Sequence, residues 1–206
     1  MRITKTKFLF IFLLVLFNQS FSQSVTYEIF GGINISNLKS SVNHNGNHSR
    51  SSLDPRTAYF FGGSIEFPIK IVKEYNFLLN IQLQYSLQGS SFYFMHDGGR
   101  QYDKVNQINL PFRIKFELLK NFFIGAGGYI GYLVHVDDYL YEDENNYSDF
   151  DAGIVTSIQY KIFKKLSIEA KYLFGLTDIL NREFDSGEYK HDNFNSVFQI
   201  GLNYKI

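Results

Sequence analysis

The sequence predicts an all-β fold: an eight-stranded antiparallel transmembrane up-and-down β-barrel with short periplasmic turns and long extracellular loops. Apolar and polar residues alternate along about eight segments, which is typical of strands with one apolar face. The connections between these segments alternate between short and long. Phenylalanine and tyrosine make up 18% of the chain, a large share for the core of a soluble domain.

The strands are expected where the alternation is strongest. The third is the clearest, because apolar residues from Phe77 to Leu87 alternate with polar residues from Asn80 to Gln88. In chain order, the predicted strands cover residues 26–38, 57–69, 77–88, 104–118, 122–134, 150–162, 166–176 and 194–206.

Each predicted strand gathers its polar or small residues on a single face. Successive side chains of a strand point to opposite faces, so residues two apart share a face. Strand by strand, the polar or small faces are Glu28, Asn34 and Ser36; Ser64 and Glu66; Asn80, Gln82, Gln84, Ser86 and Gln88; Asn109, Arg113, Lys115 and Glu117; Gly125, Gly127 and Gly131; Ser157, Gln159 and Lys161; Ser167, Glu169 and Lys171; and Gln199, Gly201, Asn203 and Lys205. The glycines of the fifth strand are interpreted as space for bulky neighbours in a crowded lumen, or as a bend.

The connections divide into two classes. Residues 70–76, 119–121 and 163–165 form short links, whereas residues 39–56, 89–103, 135–149 and 177–193 form long, polar ones. Outer-membrane barrels have short turns at the periplasmic rim and long loops outside. An even number of strands then places both ends of the barrel on the periplasmic side.

The first 22 residues are typical of a secretory signal. Arg2, Lys5 and Lys7 precede an apolar run at residues 8–17, and small residues follow at Ser20 and Ser22. The run is too short to span a bilayer as a helix. We therefore expect two units, a signal peptide at 1–22 and an outer-membrane β-barrel domain at 23–206.

Alternation alone fits either a membrane barrel or a soluble ligand carrier with an apolar interior. Aromatic residues favour the membrane barrel, because they fall near both ends of the strands, where headgroups lie. The group near the periplasmic ends is Tyr27, Phe67, Phe77, Phe116, Phe122, Tyr160 and Tyr204, and the outer group is Tyr59, Phe61, Tyr85, Tyr132 and Phe174.

The charged residues of the polar faces are of both signs. In a narrow barrel they are expected to face the lumen, where opposite charges can pair and so offset the cost of burial. The predicted lumen-facing residues are Glu28, Glu66, Arg113, Lys115, Glu117, Glu169, Lys171 and Lys205.

Several segments resemble the PorT-like outer-membrane β-barrel family of Bacteroidetes-type bacteria. They are residues 30–38 (FGGINISNL), residues 108–112 (INLPF) followed by Lys115, and residues 169–172 (EAKY) with 175–179 (GLTDI). Lys171 stands where that family usually has Arg, and the chain ends in Ile206 where such barrels often end in Phe. The resemblance implies an outer-membrane location and, for some members, a link to protein secretion.

No catalytic pattern stands out, so the protein is predicted not to be an enzyme and to need no cofactor. The five histidines, His44, His48, His96, His135 and His191, all fall in or beside the long links. A hydrolase at the outer rim is retained as a minor alternative. The formal net charge of zero gives no general basic surface for nucleic acid, and the absence of cysteine excludes thiol chemistry.

The segment from Asp137 to Asp151 is acidic and contains no Lys or Arg. It comprises Asp137, Asp138, Glu142, Asp143, Glu144, Asp149 and Asp151. We predict either a solvated loop or a weak divalent cation site, since Ca²⁺ and Mg²⁺ prefer oxygen ligands.

The expected partners of the protein are outer-membrane lipid, lipopolysaccharide and surface or periplasmic proteins. The expected role is structural or accessory, with a narrow channel for ions or small solutes as the first alternative.

Overall fold

The computed structural model describes residues 25–44, 47–69, 77–94, 99–137, 147–179 and 189–206. Residues 1–22, the predicted signal peptide, lie outside this part. The described chain forms nine strands: β1 (Thr26–His44), β2 (Asn47–Ser52), β3 (Asp54–Ile69), β4 (Phe77–Phe94), β5 (Gly99–Leu119), β6 (Phe122–Asp137), β7 (Phe150–Lys161), β8 (Leu166–Gly175) and β9 (Tyr189–Lys205).

Eight of these strands form a closed antiparallel ring. From β3 to β9 each strand pairs with the next one along the chain, and β1 pairs with both β3 and β9. Ile33, for example, lies opposite Tyr59 on one side and Ile200 on the other. The predicted eight-stranded up-and-down barrel is therefore confirmed.

The ninth strand, β2, corrects the predicted loop at residues 39–56. It pairs only with the end of β1, from Lys39 opposite Ser52 to His44 opposite Asn47. β1, β4, β5 and β9 also extend five or six residues beyond their predicted ends, and β3 and β6 three residues. The extensions show no clear alternation, but an antiparallel ladder requires only backbone groups.

The two rims of the ring differ. At one end, which we call the short-turn rim, β5 and β6 are joined by a two-residue turn at Lys120 and Asn121. Asn121 has a φ of 67°, a left-handed conformation that asparagine tolerates better than most residues. The opposite end, the long-loop rim, carries β2 and the extended ends of β1, β5 and β9.

Side-chain burial is inverted relative to a soluble protein. Outward-facing apolar residues are exposed, among them Ile33 at 52% and Leu83 at 58%, whereas Gln82 and Asn34 are fully buried. Phe61, Tyr85, Tyr132 and Phe150 lie in one register row across β3 to β7 on the outer face. An apolar exterior around a polar interior suits a lipid environment and excludes a soluble carrier with an apolar interior.

No helix in the described part of the chain is long and apolar enough to cross a membrane.

Candidate functional site: the barrel lumen

The lumen near the short-turn rim contains a cluster of six buried charges, which we call the charged layer. It holds three cations and three carboxylates: Arg113, Lys115, Lys171, Glu28, Glu66 and Glu169. All six were among the predicted lumen-facing residues. Because the two signs are balanced, the layer carries no formal net charge.

Arg113 is the best-connected member of the charged layer. Its guanidinium donates to Glu169 Oε1 at 2.8 Å and to Asn80 Oδ1 at 2.8 Å. Asn203 donates to the other oxygen of Glu169 at 3.3 Å. Since β5 and β8 are not neighbours in the ring, the Arg113–Glu169 pair spans the lumen. Both of these side chains are at most 1% exposed, so solvent does not screen the pair.

Lys115 forms the second pair of this layer. Its ammonium donates to Glu66 Oε1, and Asn80 donates to the same oxygen at 3.2 Å. Asn80 therefore connects the two pairs, accepting from Arg113 and donating to Glu66. A hydrogen-bonded network of this kind holds side chains from β3, β4, β5 and β8 together.

Lys171 crosses the barrel from β8 to β4. It donates to Gln82 Oε1 at 2.9 Å and to Gln84 Oε1 at 3.0 Å. Its ammonium also lies 4.7 Å from the ring centroid of Phe30 and 4.8 Å from that of Phe60, within the range of cation–π attraction. Both rings are buried in the lumen.

Phe30 and Phe60, which lie next to the Lys171 ammonium, were not among the residues predicted to face the lumen. Each has the parity of the polar face, Phe30 two residues after Glu28 and Phe60 four residues before Ser64. That parity was the signal that could have identified them.

Three of the eight predicted lumen residues have weaker positions: Glu28 within the charged layer, and Glu117 and Lys205 outside it. Glu28 is buried and, within the described ranges, accepts one long hydrogen bond, 3.4 Å, from Ser64. Glu117 is half-buried and accepts from the backbone N–H of Asn121 at 3.2 Å, so it stabilises a turn at the rim. Lys205 is exposed at the short-turn rim and does not enter the lumen interior.

Gly125 makes room for the charged layer. A Cβ at this position would lie 2.7 Å from Ser157 Oγ and 3.0 Å from Lys115 Cγ. The long stem of Lys115 therefore passes where a side chain on β6 would be, which agrees with the interpretation of this glycine as space for a neighbour.

Nearer the long-loop rim, the lumen contains a second polar cluster around Asp151, which we call the Asp151 cluster. The Asp151 carboxylate accepts from Tyr129 at 3.0 Å, Thr177 at 3.1 Å and Asn195 at 3.2 Å. The ring of Tyr129 packs below it with three aliphatic side chains, Val155, Leu173 and Val197.

Two exposed ion pairs lie above the apolar band at the long-loop rim. Arg100 contacts Asp54 at 3.5 Å, and Lys104 contacts Asp137 at 2.5 Å. The hydrogen bond from Lys104 lowers the pKa of Asp137, and the positive charge of Lys104 acts in the same direction. These pairs are solvated, unlike those of the charged layer.

Most of the residues predicted for loop chemistry are outside the described part. This applies to Asp138, Glu142, Asp143, Glu144 and His96 and to the side chains of His44, His48 and His191. His135 is described and exposed on β6. Within the described ranges, no group of three or more Asp, Glu or His side chains could hold a metal ion. Asp137 and Asp151 are separated, one at an exposed ion pair and the other inside the lumen.

Comparisons with known proteins give one family. The model of the family described as outer membrane protein beta-barrel domain matches residues 17–181. No curated protein sequence matches the chain.

Solved structures with similar folds are distant in sequence. Neisserial surface protein A is 10% identical with a TM-score of 0.46, covering 89% of this chain and 100% of its own. OprG from Pseudomonas aeruginosa is 13% identical with a TM-score of 0.46, covering 89% and 97%. Ail, the attachment invasion locus protein of Yersinia pestis, is 10% identical with a TM-score of 0.35, covering 86% and 98%.

Proposed function

Because the chain belongs to the outer membrane protein beta-barrel domain family, we propose that it acts as a closed, non-enzymatic outer-membrane barrel with a structural or accessory role. The observation that carries this proposal is the charged layer. Arg113, Lys115 and Lys171 each bond to a residue on a non-neighbouring strand, so their side chains cross the lumen at one level. A barrel of eight strands is only wide enough for its own side chains to fill it.

Planar-bilayer recording tests the closed lumen. The wild-type barrel is expected to show no steady conductance, because ions cannot pass a layer of paired side chains. The variant Arg113→Ala/Lys171→Ala removes two of the crossing side chains and is expected to conduct. The matched control, Arg100→Ala/Lys104→Ala, removes two cations at the exposed rim and is expected to stay closed. Heat-modifiable gel migration verifies that each variant is folded. Steady conductance of the wild type would contradict the proposal.

A narrow channel is the second candidate, and one observation favours it. Three buried amides of the lumen, Gln82, Gln84 and Gln199, each have a polar atom without a hydrogen-bond partner. Polar atoms in such places commonly bind water, and a chain of waters would allow small ions to pass. The same recordings decide between the two candidates, since this one requires conductance from the wild type.

Contact with surface partners is proposed for the long-loop rim, which we assign to the cell exterior. Tyr93 and Tyr102, at 64% and 44% exposed, lie on the parts of β4 and β5 beyond the aromatic row through Tyr85. Large aromatic side chains in water above the membrane are suited to bind another protein or the sugars of lipopolysaccharide.

Cross-linking in intact cells tests this assignment. A photo-reactive residue in place of Tyr93 or Tyr102 is expected to capture a partner, whereas one at Lys164, exposed in a short turn, is expected to capture none from the exterior. Adducts at Lys164 with an exterior partner would reverse the orientation.

The finer identity that we propose is a PorT-like barrel, exported by a signal peptide and linked to protein secretion. It rests on the motif resemblance described above and on the basic and apolar pattern of residues 1–22. Sequencing of the mature N-terminus tests the export step and is expected to begin at Gln23. Loss of secreted proteins from a deletion strain tests the link to secretion.

A further inference from the structure

Among the residues that the structure describes, the buried carboxylate of the Asp151 cluster has no ion-pair partner. Asp151 is fully buried, and its hydrogen-bond donors, which include Tyr129, Thr177 and Asn195, are neutral. In the part of the chain that the structure describes, the ion pairs involve other carboxylates. An isolated ionised carboxylate in a buried site is costly unless a positive charge accompanies it.

Amide oxygens without donors surround the same space. Asn109 Oδ1 and Gln107 Oε1 are buried and accept no hydrogen bond from the described residues, and the amide nitrogens of these two side chains also lack an acceptor there. Asn109, Gly131 and Asp151 lie in one register row across β5, β6 and β7. A Cβ on Gly131 would lie 2.4 Å from Asn109 Oδ1, 3.2 Å from Gln107 Oε1 and 3.5 Å from Asp151 Cβ. Both amide oxygens therefore point to the small space above Gly131, next to Asp151.

We infer that Asp151, Asn109 and Gln107 form a binding site for a monovalent metal cation, with Na⁺ as the ion that fits. Hard cations take oxygen ligands, and carbonyl oxygens can replace the hydration shell of an alkali ion. The site offers a single carboxylate among neutral oxygens, so one positive charge neutralises it. Gly131 keeps the space open, because any larger residue would place a carbon atom against the amide oxygens.

Thermal unfolding with Na⁺ as the only variable tests the site. The barrel is purified in detergent and unfolded in NaCl, in KCl and in choline chloride at equal ionic strength, with a further sample containing CaCl₂. Na⁺ is expected to raise the midpoint of unfolding by roughly 2–4 °C over choline and to saturate, because a ligand of the folded state stabilises it. Equal midpoints in Na⁺ and choline would overturn the site. A rise with Ca²⁺ alone would overturn its assignment to a monovalent ion.

Variants locate the effect. Asp151→Asn removes the charge and Gly131→Ala fills the space, so each is expected to abolish the Na⁺-dependent rise. Asp54→Asn is the matched control, since Asp54 is exposed at the rim, and it is expected to keep the full rise.

A measurement on the wild type alone covers the case in which a variant fails to fold. In a titration with Na⁺ followed by NMR, the side-chain amide signals of Asn109 and Gln107 are expected to shift, while that of Asn203, which donates to Glu169 of the charged layer, is expected to stay. A Na⁺-dependent midpoint without shifts at Asn109 and Gln107 would place the ion elsewhere and overturn the inference.

Discussion

The two polar clusters of the lumen bury charge in different ways. In the charged layer, Glu169 is paired with Arg113 and shares a neutral set of six charges. In the Asp151 cluster, the donors to the carboxylate in the described part of the chain are hydroxyl and amide groups. A paired charge depends on its partner remaining in place, whereas an unpaired one is compensated by a proton or an external ion. The first arrangement therefore suits a permanent closure of the lumen, and the second suits reversible binding.

The largest expected contrast comes from the same chemical change in both clusters. Glu169→Gln leaves Arg113 buried without its counter-charge and is expected to lower the free energy of unfolding by about 3–5 kcal/mol. Asp151→Asn removes a charge that has no ion-pair partner among the described residues, and it keeps one acceptor oxygen for the surrounding donors. It is expected to cost about 1 kcal/mol.

Urea unfolding in phospholipid vesicles, with choline as the only cation, measures both values. Asp54→Asn at the exposed rim is the control, and it is expected to change the free energy of unfolding by at most about 1 kcal/mol. Equal losses of unfolding free energy for Glu169→Gln and Asp151→Asn would show that the two clusters do not differ in how strongly their carboxylate charge stabilises the fold.

A double-mutant cycle sharpens the result for the charged layer. Arg113→Met alone leaves Glu169 uncompensated and Glu169→Leu alone leaves Arg113 uncompensated, whereas Arg113→Met/Glu169→Leu removes both charges. The double variant is expected to lose about 1–3 kcal/mol of unfolding free energy, less than either single variant, because the groups that lose a hydrogen bond, Asn80 Oδ1 and Asn203 Nδ2, are neutral. The measurement is again urea unfolding in vesicles. Losses that add up would indicate that Arg113 and Glu169 do not interact.

Packing around the charged layer gives a smaller effect. The added Cβ of Gly125→Ala would press against Ser157 Oγ and Lys115 Cγ, but both side chains can turn aside. The free energy of unfolding is therefore expected to fall by about 1 kcal/mol, the low end of the range for overpacking. Gly63→Ala is the matched control on β3. Its Cβ would meet only the carbonyl oxygen of Glu28 at 3.7 Å, an ordinary contact. Urea unfolding in vesicles measures both variants. An equal loss of unfolding free energy for Gly63→Ala would contradict the interpretation of Gly125 as space for the charged layer.

Alternation of side chains predicted the strands and their faces because a strand has a strict period of two. It placed Arg113 and Glu169 on the inner face but could not pair them, since their meeting depends on the stagger of β5 and β8 around the ring. It also failed at residues 39–44 and 47–52. There the chain rises above the apolar band, so neither face of the hairpin of β1 and β2 needs apolar residues.

The Asp151 cluster was only partly accessible to sequence reasoning. Asp151 was assigned to an acidic loop segment because Asp137, Asp149 and Asp151 are close in the sequence. The predicted strand already began at residue 150, as β7 does, so its alternation could have directed Asp151 inward, whereas Asp137 ends β6 at the rim. Proximity along the chain therefore said little about which carboxylates share an environment.

The smallest expected effect separates the rim from both lumen clusters. The hydrogen bond and charge of Lys104 lower the pKa of Asp137, so the folded carboxylate holds its proton less tightly than the unfolded one. A lowered pKa contributes stability above the unfolded value, near 4, and that contribution is lost as the pH falls through the folded value. An NMR titration of Asp137 is expected to show a pKa below the ordinary range in the wild type and a return toward that range in Lys104→Gln. Because the pair is exposed, high salt is expected to reduce the difference between the two proteins. A difference in pKa that persists in high salt would mean that Asp137 is shielded from solvent, as the lumen carboxylates are.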